Sequence, residues 1–149
     1  MKEPMVLRNK IREYPPTGEA SAQYEEELEE LIKNGWLIPY DENEYRAAEK
    51  LILLMAVSHC NKGKVMDFRE LNEYIQPFAA VSGVCAQELR QGCKQGVNVS
   101  LVDLKRAHLQ IRVYRSVWQY QTVVYKGRRY CLTRLGFGLN VGLLIMKAC

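Results

Sequence analysis

Asp103 is the residue of this chain best placed to do chemistry. It follows Val99, Leu101 and Val102, a short apolar run that reads as a buried strand, and Lys105 and Arg106 come directly after it. A carboxylate at the exit of a buried strand, with backbone amides and cations beside it, can hold a metal ion and a phosphate group. A lone aspartate there more often just caps the turn after the strand. Two further segments carry the same ambiguity. The lysines of Asn61-Lys-Gly-Lys64 sit at a turn, either simply exposed or suited to reach a triphosphate. Leu135-Gly-Phe-Gly-Leu139 is a glycine loop, which is more often a plain turn than a phosphate cradle.

The charge distribution favours a polyanionic partner. The net charge is only +4, but residues 19 to 49 hold ten acidic and two basic residues, whereas residues 101 to 149 hold nine basic residues and one acid, Asp103. So basic a segment usually faces polyanions, with Arg128 and Arg129 as candidate nucleic-acid contacts, and its single acid stands out. Five cysteines without a Cys-x-x-Cys pair argue against a disulfide framework or zinc site and for a reducing, intracellular compartment. No apolar run approaches the ~20 residues needed to cross a bilayer, so no membrane partner is expected. At 149 residues, 48% hydrophobic and 26% charged, the chain suits one soluble domain or part of one.

The elements that must position these groups follow from periodicity. Residues 1–18, with Pro4, Pro15, Pro16 and Gly18, read as an extended leader. Ser21 opens a helix whose Tyr24, Leu28, Leu31 and Ile32 share one face, whose glutamates form a solvated face, and which stops at Gly35. Trp36 to Pro39 read as an extended turn and Leu51 to Val57 as a strand. Val65 to Asn72 return as the second arm of a hairpin. Val84 to Gln95 make a weak amphipathic helix, Lys105 to Leu109 one helical turn, and Gln110 to Val113 a strand. Tyr120–Tyr125 and Arg128–Thr133 form a hairpin closed by Lys126-Gly127, and Leu139 to Met146 an apolar helix.

Three of these segments, in order, carry a resemblance. Lys64-Val-Met-Asp-Phe-Arg-Glu-Leu-Asn72, Val102-Asp-Leu-Lys-Arg-Ala-His-Leu-Gln-Ile111 and Leu132-Thr-Arg-Leu-Gly-Phe-Gly-Leu-Asn140 resemble successive motifs of reverse transcriptases, most closely those of long-terminal-repeat retrotransposon polyproteins. The resemblance spans about residues 19 to 149. It implies an α+β fold, a partial right-hand polymerase with an antiparallel sheet packed on helices. Fingers would come from residues 19–76 and 114–138, and an incomplete palm from 77–113 and 139–149. Such enzymes extend a primer along RNA or DNA by nucleotidyl transfer with two Mg²⁺ ions, for which Mn²⁺ can substitute. By this resemblance Asp103 is the first catalytic carboxylate and bridges both ions, with the Leu104 carbonyl as a further ligand. The amides of Arg106 and Ala107 receive the triphosphate of the incoming dNTP, and Lys64 lies in the hairpin that closes over it. His108 stands where a Tyr or Phe normally excludes the ribose 2′-hydroxyl, and Phe137 and Gly138 pack against nucleotide and template.

The chain also departs from that pattern. The aromatic-x-Asp-Asp hairpin of the family is missing, and the only aspartates are Asp41, Asp67 and Asp103. The arginine expected between Val65 and Met66 is lacking, and Gly142-Leu143 stand where a small residue and a proline are usual. Thumb, connection and RNase H regions are also missing. Three functions are then open: a polymerase fragment completed by sequence supplied elsewhere, a non-catalytic nucleic-acid-binding remnant, or a poorly folded relic. The expectations are weak, salt-sensitive binding of template-primer, no polymerisation by the chain alone, and self-association through an open edge of the Asp103 strand.

Overall fold

Helix α1 (Glu19–Lys33) forms because Tyr24, Leu28 and Leu31 recur on one face, and all three are buried in the computed structural model. That model describes residues 7–9, 15–56, 64–75, 90–92, 94 and 104–148. The helix ends in a glycine cap. Gly35 takes φ 66°, its amide donates to the Ile32 carbonyl at 3.0 Å, and the Trp36 amide reaches the Leu31 carbonyl at 2.9 Å.

The chain then enters β1 (Leu37–Pro39), where an extended turn is expected from the sequence. Those three residues pair antiparallel with β5 (Arg128–Leu132), Leu37 opposite Leu132 and Pro39 opposite Tyr130. A strand so short shows no readable alternation, and its partner lies some ninety positions away. On its other edge β5 pairs with β4 (Thr122–Tyr125), so the sheet order is β1-β5-β4. The β4–β5 hairpin closes as expected through Lys126 and Gly127, both at positive φ (48° and 71°), the geometry of a two-residue type I′ turn. A second antiparallel ladder joins β2 (Leu53–Ala56) to β3 (Lys64–Asp67). It is tied to the first where the Ile52 amide donates to the Thr122 carbonyl at 2.7 Å. Leu28, Leu37, Ile52, Val123 and Leu132, each at most 2% exposed, form the centre of the core between α1 and the sheets.

Three expectations need correction. The second hairpin arm stops at Asp67, and residues Arg69–Tyr74 form helix α2. The Asp67 carboxylate accepts the Arg69 amide at 3.0 Å, which turns the chain out of the ladder and lets Phe68 and Leu71 bury. Gln110 is not in a strand: Ala107–Gln110 are a 3₁₀ helix, after which Arg112 alone makes an isolated bridge to Arg134. A short helix α3 (Arg115–Trp118) and then α4 (Gly142–Ala148) follow, the latter starting three residues later than expected because Leu139 to Gly142 close a turn first. Backbone at 90–92 and 94 is helical, in keeping with the amphipathic segment. The expected turn at 61–63, the strand leading to Asp103 and its open edge lie outside the described residues.

Leu7, Arg8 and Asn9 are fastened to the fold. Leu7 packs on the core, and the Arg8 carbonyl accepts the Leu51 amide at 3.0 Å. The Arg8 amide donates to Glu70 Oε1 at 2.9 Å, and Glu70 also pairs with Lys50, which is 2% exposed. Burial alone would raise the Glu70 carboxyl. The hydrogen bonds from Lys50 and the Arg8 amide, with the charges of both cations, instead hold it below its usual 4.5. A carboxyl lowered in the folded state adds stability above its ordinary value, and that stability is lost as pH falls through the folded value. Stability is therefore expected to decline as pH falls below about 4.5. Glu70→Gln, which leaves Lys50 buried without its counter-charge, should cost about 3–5 kcal/mol at neutral pH in denaturant melts. It should also flatten the acid limb. A variant as stable as the parent at pH 7 would refute this account.

Candidate nucleotide and nucleic-acid interface

The three motif segments meet in space. The 3₁₀ helix is entered through Arg106 in the left-handed region (φ 55°, ψ 39°), and its carbonyl accepts the Leu109 amide at 2.9 Å, which anchors buried Leu109 in the core. This turn leaves Leu104 and Lys105 exposed and Ala107 and His108 half-buried. The His108 ring lies 5.2 Å from the Phe137 ring at 47°. Phe137 itself is 75% exposed, a large apolar surface at the tip of the glycine loop.

That loop is held from below. Gly136 is buried over Phe68, so close that a Cβ there would sit 2.2 Å from the Phe68 ring. Only a residue without a side chain permits this approach. Gly138, at φ 101°, also needs glycine. From α2, Asn72 Nδ2 donates to the Gly138 carbonyl at 2.8 Å, and the Asn72 side-chain oxygen accepts the Asn140 amide at 2.9 Å. Asn72 thus staples the loop across two peptide units, and the Leu135 amide donates to the Ile111 carbonyl at 3.0 Å. The hairpin motif, the Asp103 motif and the glycine motif are joined by hydrogen bonds and ring contact. Sequence reading passed over Asn72, Asn140 and Phe68. The signal was there, as an amide side chain closing each of two motifs.

The expected site residues fall into place unevenly. His108, Phe137 and Gly138 are brought together beside Ala107. Asp103 lies outside the described residues, and Lys64 is described only through its backbone at the start of β3, opposite Ala56. The Arg106 guanidinium pairs with Glu30 on α1 at 2.8 Å. Arg128 is exposed at the hairpin turn. Arg129 is half-buried, with Nη1 donating to Asn9 Oδ1 at 2.6 Å and Thr122 Oγ1 at 3.1 Å. Among the described residues no group of three His, Cys, Asp or Glu side chains converges as a metal site would require.

The charge asymmetry is partly spent inside the molecule. Glu25 and Glu29 flank Lys126 at 3.1 and 3.3 Å, so the glutamate run is more than a solvated face: it pins the β4–β5 turn to α1. Arg115 lies 3.7 Å from Glu44 and over the rings of Tyr45 and Trp118, 5.2 and 5.5 Å from their centroids. Exposed pairs of this kind are individually weak, but they turn Lys126 and Arg115 back towards the protein. Lys105, Arg112 and Arg128 remain exposed.

The sequence matches no protein-family model and no curated protein. Solved structures do match. The native prototype foamy virus protease–reverse transcriptase shares 19% identity and a TM-score of 0.65, with 93% of this chain and 18% of that chain covered. The foamy viral protease–reverse transcriptase in complex with dsDNA shares 16% identity and a TM-score of 0.71, with 97% and 29% covered. A further dsDNA complex of the foamy viral enzyme, dRH, shares 16% identity and a TM-score of 0.63 over 97% of this chain and 24% of that one. The fold is therefore a reverse-transcriptase-like α+β fold, a partial right-hand polymerase. The chain spans less than a third of these relatives' length. Among the described residues no helix is long and apolar enough to cross a membrane.

The contact under the glycine loop yields a direct test. Gly136→Ala should lower stability by about 1–3 kcal/mol, because the Phe68 ring or the loop must move. Adding Phe68→Leu should recover part of that loss in a double-mutant cycle. Equal losses with and without the second change would show that the ring is not what the new methyl meets.

Proposed function

We propose that this chain is a fingers-and-palm portion of a reverse transcriptase of the long-terminal-repeat retrotransposon class, which holds template-primer and does not polymerise by itself. The observation that carries this reading is the convergence of residues 64–72, 104–111 and 132–140 on one surface. The likeness to structures solved with dsDNA supports a nucleic-acid partner.

The chemistry within this sequence is incomplete. In-line displacement of a primer oxygen on a triphosphate uses two ions ~3.5–4 Å apart, clamped by several carboxylates. When bound, Mg²⁺ would neutralise charge between primer oxygen and triphosphate. Asp103 and the Leu104 carbonyl are the ligands this chain offers. Asp67, the nearest other aspartate in sequence, is engaged by Arg69, whose hydrogen bonds hold its carboxyl below the usual range. Glu70 is engaged by Lys50 and Arg8. One carboxylate does not fit a two-ion site, and no catalytic step is assigned to this chain. Its own residues bind and orient: His108 and Phe137 present a ring surface for a base or sugar, and the stapled loop fixes that surface.

The test pairs binding with catalysis. Primed DNA should bind with a dissociation constant on the order of 10⁻⁴ to 10⁻⁶ M, weakening steeply with salt. Arg128→Ala should weaken binding, whereas Arg129→Ala should mainly destabilise the fold by releasing Asn9. Primer extension with Mg²⁺ or Mn²⁺ should match that of the Asp103→Ala control. Extension clearly above that control would overturn the claim of inactivity, and salt-insensitive binding would overturn the interface.

A further inference from the structure

Arg112 and Arg134 stand opposite each other in an isolated antiparallel bridge. The flanking hydrogen bonds, Val113 amide to Thr133 carbonyl at 3.1 Å and Leu135 amide to Ile111 carbonyl at 3.0 Å, make this a non-hydrogen-bonded pair. In that geometry the two side chains rise from the same face at the closest separation a ladder allows. Two guanidinium groups are thus placed side by side, an arrangement that costs stability when left uncompensated.

Among the described residues neither arginine has a carboxylate partner, although Arg106, Arg115, Lys126 and Lys50 all do. The Arg134 Nε is buried without a hydrogen-bond partner, and its Nη1 reaches only the Gln110 carbonyl at 3.4 Å. Burial, and then the charge of Arg112, lower the affinity of the Arg134 side chain for its proton. A paired, donor-rich site with no ion-paired acid among the described residues suits an oxyanion that accepts from both forks.

We propose that Arg112 and Arg134 form a clamp for a backbone phosphate of the bound nucleic-acid strand, next to the glycine loop. The clamp rests on the reading of the chain as a nucleic-acid binder and adds a located contact to it. Its position follows from the chain path: Arg134 leads through Leu135 into the loop that carries Phe137, and Arg112 lies two residues beyond the 3₁₀ helix that carries His108. A strand whose base or sugar meets the His108–Phe137 surface would pass its phosphate over the pair.

The test measures affinity for a primed DNA duplex from about 50 to 200 mM salt for the whole chain, Arg112→Gln, the Arg112→Gln/Arg134→Gln double variant, and Lys33→Gln as an exposed control on α1. The clamp predicts that the double variant binds more weakly and that its log–log salt slope is flatter by about one for each phosphate no longer held. Lys33→Gln should bind as the parent does. Thermal melts supply the second readout. Removing one of two unpaired like charges should leave the free protein as stable as the parent or more so. Inorganic phosphate, against chloride at equal ionic strength, should raise the parent's Tm more than that of Arg112→Gln. Among the described residues the Arg112 side chain donates no hydrogen bond that the fold uses, so its single variant stays informative if the double variant folds poorly. A parent that binds DNA with a slope unchanged in both arginine variants would overturn the clamp and leave the wider reading intact. A parent that fails to bind DNA at the lowest salt would overturn that reading and the clamp with it. Phosphate stabilisation with DNA binding unaffected would mark a free-phosphate site and likewise overturn it.

Discussion

The register of β5 is the constraint on which the rest of this structure depends. Among the described strands it lies at the centre of the three-stranded sheet, with Leu37↔Leu132 on one side and Thr122↔Cys131 on the other. Leu132 and Cys131 are both essentially inaccessible, one towards α1 and the other towards Tyr40 and Ala48. A slip of one residue would exchange these faces and expose the core. The same strand runs directly into Thr133, Arg134 and Leu135, so its register also sets where the glycine loop starts and which residue faces Arg112. Core packing and site geometry are settled by one alignment.

Electrostatics acts here first as construction. The acidic helix and the basic second half attract each other within the molecule, and α1 collects Arg106 and Lys126 from elements more than seventy residues away. Each contact is exposed and individually weak, yet together they tie the hairpin and the entry to the 3₁₀ helix to the same helix. What remains for a partner is the set of cations that the acids cannot reach. The formal charge of a segment therefore overstates its outward field, and the relevant quantity is the charge left unpaired after folding.

Much of the architecture was legible in the residues. The apolar face of α1, its stop at Gly35 and the Lys126-Gly127 turn are local signals, complete within a few positions, and the structure carries all three. The structure brings His108 and Phe137, from two of the three motifs, into ring contact. Several misreadings share a cause, a partner distant in sequence. β1 is a strand because β5 lies beside it. Helix α2 begins because Asp67 captures the Arg69 amide and because Phe68 can be buried beneath Gly136, a contact spanning nearly seventy residues. The glutamates of α1 looked solvated because Lys126 and Arg106 are invisible to any local window of sequence. The opposition of Arg112 to Arg134 was hidden for the same reason.

The anchoring of residues 7–9 bears on the order in which the molecule can assemble. Asn9 is held by Arg129, a separation of 120 positions, and the Arg8 amide by Glu70, a separation of 62. The edge partner of β1 likewise arrives only when β5 exists. A ribosome that releases the chain from its N-terminus thus delivers Leu7, Leu28 and Leu37 long before the surfaces that cover them. Contacts of such long range close slowly, because loop entropy must be overcome before they contribute. During that interval α1 can form but has nothing to bury its apolar face against, and the nascent chain must be kept from others like it. The β4–β5 hairpin supplies the late partners: β5 for β1, Thr122 for Ile52 and Arg129 for Asn9.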